Sequence, residues 1–192
     1  MPKINAIRWA ASAALWMVLS GVAQAHSFNV AIVSGEAGSS DQLQSAVRGF
    51  LVASAERDAH SNETADGHLG GLDVFLAPLP AALASGIAGL VEQESDTFDV
   101  VVVLGDTATT DGVQGVVATT AVMMPGTLPD PAQRTDFVEK YVARFETQPT
   151  DAAAQGYNAA RRIDRAVRQL GGTSQTDSLR DALAATADGT AW

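Results

Sequence analysis

The chain has 192 residues, of which 22 are acidic and 12 are basic, so its formal net charge is −10 at neutral pH. A charge of this sign repels nucleic acids and anionic lipid surfaces, and we expect no nucleic-acid partner. The absence of cysteine excludes disulfides, thiolate metal sites and a cysteine nucleophile. The length is sufficient for one domain with a hydrophobic core.

The N-terminus has the three-part pattern of a secretory signal peptide. Lys3 and Arg8 make the start positive, residues 9–22 are uncharged and mostly apolar, and Ala23 and Ala25 supply the small residues of a cleavage site. The apolar stretch is short for a membrane span. We therefore predict cleavage after Ala25 and a periplasmic protein, with an uncleaved N-terminal anchor as the alternative.

The predicted mature protein, residues 26–192, is a single α/β domain that begins at His26. It keeps ten basic and all 22 acidic residues, which gives a net charge of −12. Without cysteine it cannot carry a lipoprotein anchor. No later stretch is long and apolar enough to cross a bilayer, so we expect it not to be embedded in a membrane after cleavage.

The first half of this domain alternates strands and helices. Residues 28–33 are rich in β-branched side chains and predict a strand. After a small-residue turn at 35–40, apolar residues recur at helical spacing, namely Leu43, Val47, Phe50, Leu51 and Ser54. Residues 60–71 are polar and glycine-rich, which indicates a loop. Residues 72–77 predict a second strand that Pro78 ends.

The middle of the chain contains the most apolar strand. Residues 80–93 predict a helix, and residues 98–104 predict a strand that is covered on both faces, as in the centre of a parallel sheet. Residues 105–112 indicate a turn, and residues 113–122 predict a fourth strand.

The C-terminal third is predicted to be helical. One helix starts at Asp130 and presents three aromatic residues at four-residue steps, namely Phe137, Tyr141 and Phe145. Pro149 breaks this helix, and Asp151 can cap the next, whose inward face contains Tyr157, Ala160, Ile163, Val167 and Leu170. Gly171 and Gly172 end that helix. A last short helix runs to about Ala185.

This order of elements predicts an α/β fold with a three-layer, doubly wound, mostly parallel sheet of about four strands and helices on both faces. Ligands of such folds bind beyond the carboxyl ends of the strands. The pattern therefore points to the turns that follow the first and third predicted strands.

A series of short segments near the C-terminus resembles the closing region of type I periplasmic solute-binding proteins, the receptors related to the branched-chain amino acid binding proteins of ABC transporters. The segments are FVEKY at 137–141, RF at 144–145, QP at 148–149, GYNAA at 156–160, LGG at 170–172 and LRDAL at 179–183. Upstream, GVQGVV at 112–117, GHLGGL at 67–72 and the opening strand, turn and helix also resemble the family.

The resemblance implies an exported solute-binding protein that holds an amino acid or related organic acid and presents it to an ABC transporter permease. Family members have two lobes with the ligand between them and are much longer than this chain. The sequence looks like one lobe, whose opening and closing segments are joined by a short bridge. The alternative is a truncated solute-binding fold that acts as an accessory protein for another periplasmic protein.

Two turns are the candidate ligand-binding segments. Gly35, Ser39 and Ser40 lie between a strand and a helix N-terminus, where free N–H groups attract a carboxylate, and the resemblance places the family's first ligand loop there. A second group, Asp106, Thr107 and Thr109, follows the most apolar strand and could hold the ammonium and carboxylate groups of an amino acid. The alternative for both segments is an ordinary polar turn.

Other polar clusters favour simpler explanations. Acidic residues and histidines crowd one loop, namely Asp58, His60, Glu63, Asp66, His68 and Asp73, but without regular ligand spacing, so we predict no metal and no cofactor. Four arginines form a basic face on one helix, either solvated or a docking patch, namely Arg161, Arg162, Arg165 and Arg168. No catalytic triad can be assembled, and we do not expect an enzyme.

Overall fold

The computed structural model describes residues 27–34, 40–57, 64–79, 98–105, 110–113, 120–126 and 135–188. The regular elements in this part of the chain are β1 (Ser27–Ser34), α1 (Ser40–Ala55), β2 (His68–Leu69), β3 (Leu72–Leu79), β4 (Val100–Leu104), β5 (Ala121–Met123), α2 (Thr135–Phe145), α3 (Asp151–Leu170) and α4 (Thr176–Ala184).

The strands form one five-stranded mixed sheet in the order β2-β3-β1-β4-β5. Four strands are parallel, with Val30 paired to both Leu76 and Val100, and β2 is antiparallel to β3. The prediction of an α/β fold with a mostly parallel sheet is therefore confirmed in outline. The strand count differs from the predicted four because β2 was not anticipated.

The extra strand β2 lies in the region predicted to be a loop. It has only two residues, and the chain reverses at Gly70 and Gly71, whose φ angles of 65° and 87° suit glycine. Across this turn, Leu69 pairs with Leu72, and His68 pairs with Asp73. Two residues are too few to give a periodic sequence signal, so the glycine-rich composition dominated the prediction.

The strand β3 continues past Pro78, contrary to the prediction that this proline ends it. Proline is normally excluded from the middle of a sheet because it has no N–H to donate. Here Pro78 pairs with Ile32 of β1 on one side, and on the other side β2 pairs only with Leu72 and Asp73 and does not reach Pro78. The missing donor therefore leaves no unmet pairing with β2.

The predicted strand at 113–122 is wrong at its start. Residues 110–113 are helical, and the strand β5 begins only at Ala121. Val113 packs against the sheet from this helical segment. A short apolar run has too few residues for its period to separate a helical turn from a strand, which explains the error.

The side chains of β1 alternate between two buried faces. Phe28, Val30 and Ile32 join the main core with all four described helices, whereas Ala31 and Val33 belong to a second cluster with Val113. The described helices α1 to α4 thus cover one face of the sheet. The helix predicted at residues 80–93 lies outside the described residues, so the prediction of helices on both faces stays open.

The helices α1 and α3 lie side by side and touch through glycines. A β-carbon at Gly49 would lie 1.8 Å from the carbonyl oxygen of Ala153, and one at Gly156 would lie 1.9 Å from that of Ala46. Only glycine permits backbones to approach this closely. The contact fixes α1 against α3.

The C-terminal helices follow the predicted pattern with two changes, and the first is that Leu170, predicted to face inward, is exposed at the end of α3. The rings of Phe137, Tyr141 and Phe145 contact one another in sequence along α2, edge-on and tilted, with centroid distances of 5.6 and 4.9 Å. Gly171 ends α3 in the left-handed conformation, as predicted. The N-cap of α3 is Thr150 rather than Asp151, since the Thr150 hydroxyl accepts a hydrogen bond from the amide of Ala153.

Candidate functional site

The strand order places a topological switch point between β1 and β4. The chain moves from β1 to β3 on one side of β1, and then returns to β4 on the other side. Crevices that bind ligands in open α/β sheets occur at the carboxyl edge where the order reverses in this way. At that edge Ser34, the last residue of β1, pairs with Leu104, the last residue of β4.

Both candidate ligand-binding segments leave the sheet at this pair of strand ends. Of the six predicted residues, Ser40 is described, and it is the exposed first residue of α1. The other five, Gly35, Ser39, Asp106, Thr107 and Thr109, lie outside the described residues. The structure thus brings together the two strands that precede the segments, whereas the positions of these five side chains stay predictions.

A carboxylate at the opposite, amino edge ties β1 to β4. The side chain of Asp99 accepts hydrogen bonds from the amide of Asn29 and the hydroxyl of Thr173, at 2.9 and 2.8 Å. Its own amide donates to the carbonyl of Asn29, and its carbonyl accepts from the amide of Ala121. Sequence reasoning missed Asp99 because its partners lie on three distant segments.

The same amino edge contains a groove of about 450 Å³, which we call the arginine groove. It lies where α1 ends beside the second half of α3, and the apolar side chain of Leu69 contributes to its wall. Its charged lining residues are Glu56, Arg57, Arg161, Asp164, Arg165 and Arg168. The helix α1 starts at the carboxyl edge of the sheet and ends near the amino edge. The groove therefore lies at the opposite edge of the sheet from the predicted ligand segments.

Glu56 is a hub at one end of the arginine groove. Its carboxylate accepts hydrogen bonds from the Tyr157 hydroxyl at 2.7 Å and from Lys140 Nζ at 2.9 Å, and lies 3.7 Å from Arg161 Nη1. Burial, together with the hydrogen bond to and charge of Glu56, raises the pKa of Tyr157 well above its ordinary value. Tyr157 therefore stays a neutral donor.

Asp164 forms the second acidic point of the groove. Its carboxylate accepts hydrogen bonds from the amide of Gly70 and from Arg168 Nη2, both at 2.8 Å, and lies 3.9 Å from Arg57 Nε. The Asp164 residue is buried, whereas the side chains of Arg57 and Arg168 are about half exposed. Asp164 thereby connects α3 to the turn between β2 and β3.

Arg162 does not belong to the exposed basic face in which the sequence analysis placed it. It is 3% exposed, and its guanidinium donates to the carbonyls of Met124 and Leu183 and to the Thr186 hydroxyl. Burial lowers its pKa to about 10. A neighbouring side chain, Asn158, donates to the carbonyl of Pro125, so α3 holds the segment that follows β5.

The loop considered for metal binding is only partly described. His68 Nε2 lies 2.7 Å from an Asp73 carboxylate oxygen, and Asp66 accepts a hydrogen bond from the amide of Leu76. Asp58, His60 and Glu63 lie outside the described residues. Within residues that the structure describes, no three histidine or acidic side chains converge as metal ligands would.

Comparisons with known proteins found one weakly similar solved structure and no matching family. No family model matches the chain, and no curated protein matches it. A solved structure described as a branched-chain amino acid ABC transporter from Rhodospirillum rubrum is similar at 21% identity, with a TM-score of 0.28. The match covers 91% of this chain, which spans about half (53%) of that protein. A TM-score this low does not establish a shared fold.

The helices that the structure describes include none with the length and hydropathy needed to span a bilayer.

Proposed function

We propose that this chain is an exported solute-binding-type protein of an ABC transport system that binds an amino acid or related organic acid in the periplasm. One structural observation carries the proposal. The two segments that resemble ligand loops of type I solute-binding proteins follow β1 and β4, and these strands are neighbours at a switch point with Ser34 paired to Leu104.

The chemistry of the two segments suits a zwitterionic ligand. Ser39, with the amides at the start of α1, offers donors for a carboxylate. Asp106 offers an acceptor for an ammonium group, and Thr107 and Thr109 offer hydroxyls. The strongly acidic body of the protein favours zwitterionic or cationic solutes over highly anionic ones at this edge.

The test is a thermal-shift screen of the protein, expressed with its own leader and purified from the periplasm, against amino acids and organic acids. A true ligand at about a hundred times its dissociation constant adds about 2.7 kcal/mol of stability, which raises the melting temperature visibly. We expect such a response to be lost in the double variant Ser39→Ala/Thr107→Ala.

The matched control is Thr147→Ala/Ser174→Ala, which also removes one threonine and one serine hydroxyl, but from exposed positions elsewhere in the chain. It should respond to the ligand as the wild type does. A folded protein with no response to any solute at millimolar concentration would contradict the proposal. That result would favour the alternative, a truncated solute-binding fold that acts as an accessory protein for another periplasmic protein.

A further inference from the structure

We infer that the arginine groove is a second ligand site, which takes a small polyvalent oxyanion with carboxylate or phosphate groups. It lies at the amino edge of the sheet, away from the segments in the proposed function, and does not depend on that function. The lining of the groove is rich in positive charge. Among the described residues, four arginines and two carboxylates line the groove, although the chain as a whole carries a net charge of −10.

Both carboxylates of the groove already have cationic partners. Glu56 is bound by Lys140 and Arg161, and Asp164 is bound by Arg168 and lies near Arg57. These contacts neutralise the acids and hold the arginines in place rather than leaving the acids as competing ligands. The positive excess therefore remains available to a bound anion.

Arg165 supplies the clearest open cation. It lies on α3 one turn beyond Arg161, is exposed, and within the described part of the chain takes part in no ion pair or hydrogen bond. A guanidinium has five N–H donors in a planar fork that matches carboxylate and phosphate oxygens. Arg168 uses part of this capacity on Asp164, and Arg57 lies 3.9 Å from the same carboxylate, so both can share an anion with Arg165.

The shape of the groove favours a small molecule. Its volume of about 450 Å³ lies within the range of ~300–1,000 Å³ typical of small-ligand sites. The buried carboxylate of Asp164 is fixed by the amide of Gly70, so the arginines around it are attached to a rigid support. Leu69 and Ala53, both buried, close the bottom of the groove.

The experiment is isothermal titration calorimetry of the full exported protein with citrate and, separately, with pyrophosphate, using acetate as the monovalent reference. We expect one-to-one binding of at least one polyvalent anion, with little heat from acetate. Binding of citrate alone assigns the site to carboxylates, and binding of pyrophosphate alone assigns it to phosphates. The affinity should fall as salt screens the charges.

A matched pair of charge variants separates this site from general attraction. Arg165→Gln/Arg168→Gln should weaken binding by at least about tenfold, because two charge-assisted contacts are lost. Arg48→Gln/Arg144→Gln removes the same charge from arginines beside Phe145 and should leave the affinity within about twofold. Ser39→Ala/Thr107→Ala should also leave it unchanged, which keeps this test independent of the proposed solute site.

Two results would overturn the inference. One is the absence of heat with both polyvalent anions up to about 10 mM, well above the micromolar affinities of ordinary sites. Another is equal weakening by the two arginine pairs. If the first result came together with binding of a glutamate-rich peptide, the groove would be a docking surface for an acidic protein.

Discussion

At the scale of single residues, the most informative side chain is the buried Arg162. Within the part of the chain that the structure describes, its guanidinium has no carboxylate partner and donates instead to the carbonyls of Met124 and Leu183 and to the Thr186 hydroxyl. Burial of a charge is costly unless hydrogen bonds compensate for lost water. The side chain therefore connects α3 to α4 and to the segment that follows β5.

We predict that Arg162→Met lowers the free energy of unfolding by about 2–4 kcal/mol, because the carbonyls of Met124 and Leu183 and the Thr186 hydroxyl each lose a hydrogen bond from the buried guanidinium. Urea denaturation followed by circular dichroism measures the change. The matched control is Arg168→Met, whose half-exposed ion pair with Asp164 should cost less than about 1 kcal/mol. Equal losses of unfolding free energy in the two variants would contradict the role of Arg162 in connecting these three segments.

At the scale of elements, the packing of α1 on α3 organises the helical layer. Gly49 and Gly156 lie at the contact, where each faces a backbone carbonyl of the opposite helix. The helices have little room to separate because α1 also packs on β1 and β3, and α3 also packs on α4. Small residues at these positions are therefore a condition of the fold.

We predict that Gly49→Ala and Gly156→Ala each lower the free energy of unfolding by about 3 kcal/mol or more, near the upper end of overpacking penalties, because the added methyl meets backbone. Gly172→Ala is the control, since nothing lies within 4 Å of its β-carbon position. The melting temperatures of the three variants, measured by thermal unfolding, test this prediction. A melting temperature for Gly49→Ala close to that of the control would show that the helices separate easily.

At the scale of the whole molecule, the two edges of the sheet differ in chemistry. The carboxyl edge is where the predicted ligand segments leave β1 and β4, and the amino edge contains the arginine groove. Four of the twelve basic residues line that groove, in a chain with nearly two acidic residues for each basic one. Two separate tests, one for a polar solute and one for a polyvalent anion, therefore address different ends of one sheet.

Export is the prediction that concerns the whole chain. We expect the protein recovered from the periplasm to begin at His26, because Ala23 and Ala25 form the small-residue cleavage site. Mass spectrometry of the intact protein measures the cleaved length. Replacement of Ala25 by a bulky residue, as in Ala25→Leu, should leave the leader attached. A wild-type protein that retains residues 1–25 after export would favour the uncleaved anchor.

Much of the fold was predictable where the sequence signal is local and repeated. The apolar run of β4 and the four-residue spacing of Phe137, Tyr141 and Phe145 each predicted the element that is present. The signal failed where elements are short, as in β2 and at residues 110–113. In the candidate site, the strand ends could be predicted from the alternation of elements, but the arginine groove could not.

The sequence by itself determined the α/β class and the parallel character of the central strands, because the periodicity and apolar runs that indicate them lie within short stretches of neighbouring residues. The leader stays a prediction. Tertiary structure alone decided which strands are neighbours, which arginine is buried, and where the charges of α1 and α3 meet. Arg161 and Arg162 are adjacent in sequence, yet one lines the groove and the other is buried beneath Leu183 and Thr186. Their different environments come from partners far along the chain, which only folding brings together.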